Sequence, residues 1–117
     1  TGFKLDELAR KIYSANNIDG FVFNHGLGHG IGINVHEYPP NLSPNKKAEV
    51  TIEKNMCFTI EPGLYCENKF GIRLENACYF NGKEIKSFTK MNFEKKLVDM
   101  SILTKQEKIW LNEFEVI

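Results

Sequence analysis

Residues 24–37, running from Asn24 to Glu37, constrain the fold more than any other stretch of this 117-residue chain. All three histidines fall within twelve consecutive positions there, interleaved with four of the nine glycines. Glycine recurs at 26, 28, 30 and 32, a period of two. On an extended backbone that period puts His25, Leu27, His29 and Ile31 on one face and leaves the other bare. A bare face admits another chain segment or a ligand close to the backbone. His36 lies seven residues beyond His29, the wrong parity for the same face of a straight strand. It can join the other two only across a bulge or a turn.

Around this stretch the pattern is mixed. Leu5, Leu8, Ala9, Ile12 and Tyr13 form one apolar helical face, predicting a helix over about 4–15 that Asn16-Asn17 and Asp19-Gly20 stop. Phe21-Val22-Phe23 reads as a short buried strand, and the proline-rich residues 39–45 as a surface loop continued by Lys46-Lys47. A strand is expected from Met56 to Glu61, with Cys57, Thr59 and Glu61 on one face. Pro62-Gly63 breaks it and Leu64-Tyr65-Cys66 resumes. One longer strand is expected from Ile72 to Phe80, with Arg73 and Glu75 on a shared face. Asn81-Gly82 then turns it back through Glu84 to Phe88. Thr104 and Glu107 have capping-box spacing ahead of Ile109, Trp110, Leu111 and Phe114, so a second helix closes the chain.

Bulk properties exclude several partners. Lys plus Arg equals Asp plus Glu at 15 each, so no net field favours nucleic acid or a membrane surface. No apolar run approaches the roughly 20 residues that span a bilayer. The first residues lack a signal-peptide pattern, and the absence of an initiator Met leads us to expect a chain cut from something longer. Cys57, Cys66 and Cys78 are odd in number and lack CxxC spacing, which fits buried thiols in a reducing compartment.

Familiar chemistries built on such residues can be removed one by one. His36-Glu37 opens like a zincin helix, but Pro39-Pro40 forbids the helix and no second histidine follows. His25-x3-His29 has finger spacing, yet no cysteine precedes position 57. Ile31 and Ile33 stand where a dinucleotide fingerprint needs glycine, and no phosphate-loop lysine follows. What remains is a scattered polar set on strands: His29, Glu61, Arg73 and Glu75, with His25 and His36 nearby. Imidazole with carboxylates suits Mn, Co, Zn or Fe. The alternative is that Arg73 and Glu75 pair with each other while the histidines only hydrogen-bond. Glu75, beside Leu74 in a largely apolar strand, would be costly there without compensation.

Three separate motifs carry a resemblance: His25-Gly-Leu-Gly-His29-Gly-Ile-Gly with Val35-His36-Glu37, Phe58-Thr-Ile-Glu61-Pro-Gly-Leu-Tyr65, and Phe70-Gly-Ile-Arg73-Leu-Glu75-Asn76. Their order and spacing resemble the metallopeptidases of the pita-bread fold, the group of Xaa-Pro aminopeptidase, prolidase, creatinase and methionine aminopeptidase. The Glu-Pro-Gly-Leu-Tyr and Gly-Ile-Arg-x-Glu-Asn segments look like the Xaa-Pro enzymes. Leu97-Val98-Asp99, Ser101 to Thr104 and Trp110-Leu111-Asn112 are similar to the C-terminal extension of cytosolic aminopeptidase P, and the Leu5-Asp6-Glu7-Leu8-Ala9-Arg10 helix fits the same subfamily.

The resemblance implies an α+β fold, the C-terminal half of a pita-bread domain with a curved antiparallel sheet and flanking helices. Residues 1–117 would be one portion of a catalytic domain, with about 90–117 the extension. It implies hydrolysis of the bond between an N-terminal residue and a following proline, with prolidase or a non-catalytic peptide-binding domain as alternatives. His29, Glu61 and Glu75 would be metal ligands, and Glu61 also the general base. His36 would contact the substrate carbonyl, His25 would line the proline subsite, and Arg73 would hold a ligand carboxylate in place. Two divalent ions are implied, manganese first, with cobalt or zinc as alternatives.

The family's two aspartate ligands and an upstream histidine have no counterpart here, since Asp6, Asp19 and Asp99 lie in no such motif. The chain is therefore expected to be inactive alone and prone to dimerise, swap or aggregate through its open sheet edge and bare glycine face. Its thiols and the resemblance to cytosolic aminopeptidase P imply a cytoplasmic location.

Overall fold

The computed structural model describes residues 1–88 and 94–116. Helix α1 spans Gly2–Ala15, capped at its start by the Thr1 hydroxyl, which accepts the Lys4 N–H, and at its end by Asn16. Five strands, β1 (Gly28–Gly30), β2 (Glu37–Leu42), β3 (Cys57–Ile60), β6 (Asn76–Phe80) and β7 (Ile85–Ser87), form an antiparallel sheet in the order β2-β1-β3-β6-β7. Strands β4 (Gly63–Tyr65) and β5 (Gly71–Arg73) make a separate antiparallel pair. A second helix, α2, spans Lys105–Val116.

The core sits between α1 and one face of the larger sheet. Leu27, Leu42, Phe58 and Cys78 are buried there, and Leu5 and Ala9 of α1 pack onto them. Leu8 and Ile12, on the helical face expected to be apolar and covered, remain more than half exposed. Only part of the expected stripe is used. Of the cysteines, Cys78 is buried and its thiol is pushed up by that burial, whereas Cys57 and Cys66 are only partly covered.

Three sequence expectations give way to pairing geometry. Phe21-Val22-Phe23 is not a buried strand: Val22 makes a single bridge to Tyr65 and is itself exposed. Residues 39–42 of the loop expected over 39–45 lie instead in the edge strand β2, with Pro40 and Leu42 buried. An edge position tolerates prolines because one side of the strand needs no ladder donors. The long strand expected over 72–80 is broken at residues 74–75. β6 pairs with β3 and β5 with β4, so the chain changes sheet at this corner. Pro62, with no N–H to donate, lies at the same level and accepts the Leu74 N–H at 3.2 Å. Register is continuous across the break, from Ile60↔Asn76 to Gly63↔Arg73. Glu61 and Glu75 therefore stand level with each other at the corner between the two sheets.

Candidate functional site

His29 occupies the middle of β1, between two buried glycines whose bareness lets neighbouring strands close in. A Cβ on Gly28 would collide with the Thr59 carbonyl, and one on Gly30 with the Glu37 carbonyl. The β1–β2 register shifts between His29 and Gly30, and the chain then turns through residues 31–36. That bulge and turn deliver His36 to His29 despite its parity: the two rings lie 4.0 Å apart at 32°. Glu37 steadies the turn by accepting the Asn34 backbone N–H at 2.8 Å. His36 itself is exposed.

Glu61 follows β3 and is buried, at 8% exposure. Its backbone N–H donates to the Leu27 carbonyl at 2.8 Å, which ties it beside β1. Arg73 at the end of β5 donates from Nη1 to Glu61 Oε2 at 3.1 Å. The Thr59 hydroxyl donates to Glu61 Oε1 at 3.0 Å and accepts the His29 N–H at 3.0 Å. Thr59 thus links the two chemical groups from beneath. Sequence reading gave it no role, although it lies two residues before Glu61 on the same face of β3.

The protonation pattern defines what this pair can hold. His29 Nδ1 lies 2.9 Å from the Gly30 carbonyl oxygen, which can only accept, so the neutral ring carries its proton on Nδ1. Nε2 then turns a lone pair toward Glu61 Oε1, 3.2 Å away. Two acceptors face each other across that gap, and a proton or a cation between them satisfies both. A neutral imidazole nitrogen with an anionic oxygen is a donor set that suits a divalent ion.

Arg73 is partnered by Glu61, not by Glu75, which removes the pairing considered as an alternative on sequence grounds. Glu75 is exposed at the sheet corner, so the burial cost expected for it does not arise. Among the described residues, no three His, Cys, Asp or Glu side chains converge as a metal-holding group. His29 and Glu61 are brought together; Glu75 stands level with Glu61 without closing the set.

His25 belongs to a neighbouring cluster. Its Nδ1 lies 2.7 Å from the Gly26 carbonyl oxygen and its Nε2 2.8 Å from the Tyr65 hydroxyl. Phe23 meets it edge-on, and Tyr13 meets Phe23 in turn. Burial raises the Tyr13 hydroxyl above its ordinary value, and Tyr65 adds to the rise.

Over residues 1–81 the chain matches the metallopeptidase family M24, and it belongs to that family. It is similar to Aminopeptidase P1 of Lotus japonicus, 39% identical over 127 residues that cover 97% of this chain and 19% of that protein. Among solved structures it is similar to the X-prolyl aminopeptidase of Caenorhabditis elegans, described as a cytosolic enzyme with a di-nuclear active site. There the TM-score is 0.76 at 33% identity, over 97% of this chain and 20% of that one. The prolidase of Pyrococcus horikoshii OT3 gives 0.71 at 36% identity, over 80% of this chain and 26% of that one. The mixed α and antiparallel β architecture expected of the pita-bread fold is the one observed. This chain spans about a fifth of the length of the curated relatives it matches.

Proposed function

We propose that this chain supplies one wall of the active site of an Xaa-Pro aminopeptidase, a metallopeptidase that releases the N-terminal residue preceding a proline. The observation that carries the reading is the His29 Nε2 and Glu61 Oε1 pair, two acceptors 3.2 Å apart inside a family of metallopeptidases. His29, Glu61 and Glu75 would hold part of a two-ion site, completed by ligands from elsewhere in the protein, with manganese as the expected metal. Such ions, when bound, polarise a scissile carbonyl and acidify water.

The chain's own residues have separable tasks. Glu61, fixed at one oxygen by Arg73 and at the other by Thr59, accepts a proton without swinging away. His36, exposed beside His29, donates a hydrogen bond to the substrate carbonyl oxygen as negative charge builds on it. His25 lines the subsite for the proline ring.

Prolidase is the second reading, since the Pyrococcus horikoshii OT3 neighbour carries that name. The match to the Caenorhabditis elegans aminopeptidase covers 97% of the chain against 80% for that prolidase, which favours an aminopeptidase of that extended type, with the extension near residues 90–117. Hydrolysis by the full-length protein decides between them. Release of the first residue from Xaa-Pro-Yaa tripeptides is expected, with loss of at least about a hundredfold in Glu61→Gln. Cleavage confined to Xaa-Pro dipeptides would establish prolidase instead, and no cleavage of either would end both readings.

A further inference from the structure

We infer that Tyr65 is a positioning residue for His25, fixing the plane and tautomer of that imidazole from outside the histidine stretch. The direction of the bond follows from its neighbours. The Gly26 carbonyl oxygen beside Nδ1 can only accept, so Nδ1 bears the proton and the Tyr65 hydroxyl donates to Nε2 at 2.8 Å.

Tyr65 is itself held. Its backbone exchanges two hydrogen bonds with Val22, at 2.9 and 3.0 Å, three residues before His25. Its ring lies over two glycines of the β4–β5 pair: a Cβ on Gly63 would strike its hydroxyl, and one on Gly71 its ring. Both strands of that hairpin are bare where the phenol needs room. From the other side, Arg10 of α1 donates to the carbonyls of His25 at 2.7 Å and Phe23 at 3.1 Å. The fully buried Asp6 anchors that guanidinium and also accepts the Leu27 N–H at 2.9 Å. His25 is thus gripped by its ring from β4 and by its main chain from α1.

A chemical consequence follows for the ligand. Both ring nitrogens of His25 are spent within the chain, so it offers an oriented ring rather than a free nitrogen. Proline has no amide proton and presents a stiff hydrocarbon ring, which such a wall suits by shape. This specificity role rests on the Xaa-Pro reading; the Tyr65–His25 linkage does not.

The test uses Tyr65→Phe in the full-length protein, a change that keeps the ring over its glycines. With 15N-labelled histidine, assigned by its loss in His25→Gln, the wild-type His25 signal should show an unprotonated Nε2 accepting a hydrogen bond, shifted toward the unbonded value in Tyr65→Phe. Kinetically, Tyr65→Phe should raise KM for an Xaa-Pro peptide about fivefold, the equivalent of one neutral hydrogen bond, with the loss in KM rather than kcat. Added to His25→Ala it should cost nothing further. A His25 signal unmoved by Tyr65→Phe, or additive losses in the double variant, would overturn the assignment. If no Xaa-Pro peptide is cleaved at all, the functional reading fails and the nitrogen signal alone decides this one.

Discussion

At the scale of single residues, the site depends on how few ways its polar groups can be satisfied. Thr59 is 3% exposed, and its one hydroxyl both receives the His29 N–H and donates to Glu61. Valine has nearly the same shape and neither capacity. Thr59→Val should therefore leave the part-buried His29 amide without its acceptor and take one donor from the buried Glu61 carboxylate, destabilising the protein by about 1–3 kcal/mol. Denaturant unfolding measures this, and an unchanged midpoint would show that solvent replaces Thr59 without loss. The residue scale is also where sequence reading was most uneven. His29, Glu61 and Arg73 stood out by type and do meet in space. Thr59 carried no distinguishing chemistry in the sequence, and its importance arises only from the β1–β3 pairing that brings His29 over it.

At the scale of elements, local signals with a mechanism survived and those resting on composition did not. The capping box at α2 is realised in both directions: Thr104 N–H donates to Glu107 Oε2 at 2.7 Å, and Glu107 N–H donates to Thr104 Oγ1 at 3.2 Å. The Asn81-Gly82 turn forms, with Asn81 Oδ1 accepting two backbone N–H groups and Gly82 at a φ of 99°. By contrast, the edge placement of β2 and the sheet change at residues 74–75 depend on which strand lies alongside. No window of sequence records that. The capping box also titrates. The Thr104 N–H, and then its side chain, hold the Glu107 carboxyl below the ordinary carboxylate range. Because the folded value is the lower one, the carboxylate supports the helix above the ordinary range and that support is lost as pH falls through the depressed folded value. Amide protection factors in the first turn of α2, corrected for the intrinsic pH dependence of exchange, should fall on acidification, and Glu107→Ala should remove that fall. Equal acid sensitivity in the variant would assign the effect to another group.

At the scale of the whole molecule, the described chain leaves apolar surface uncovered. Phe70, Ile72 and Leu74 are each more than half exposed along β5 and the corner beyond it, close to Leu64 and Phe21. The chain covers only about a fifth of the length of the curated relatives it matches. The 117-residue chain by itself is expected to self-associate through this surface. Light scattering at working concentration checks this, and a clean monomer would contradict it. Among the described residues no helix is long and apolar enough to cross a membrane. The fold class was readable because three motifs, in order and at the right spacing, resemble one family whose architecture the structure shares.

The claim on which the rest turns is that His29 and Glu61 face each other because a metal ion belongs between them. Elemental analysis of the full-length protein, purified with manganese and freed of loosely bound ions, tests it most directly. Two divalent ions per chain are expected in the wild type, with at least one lost in His29→Ala and in Glu61→Ala. A full complement of metal in either variant, or Xaa-Pro cleavage by a wild-type protein stripped of divalent ions, would contradict the account.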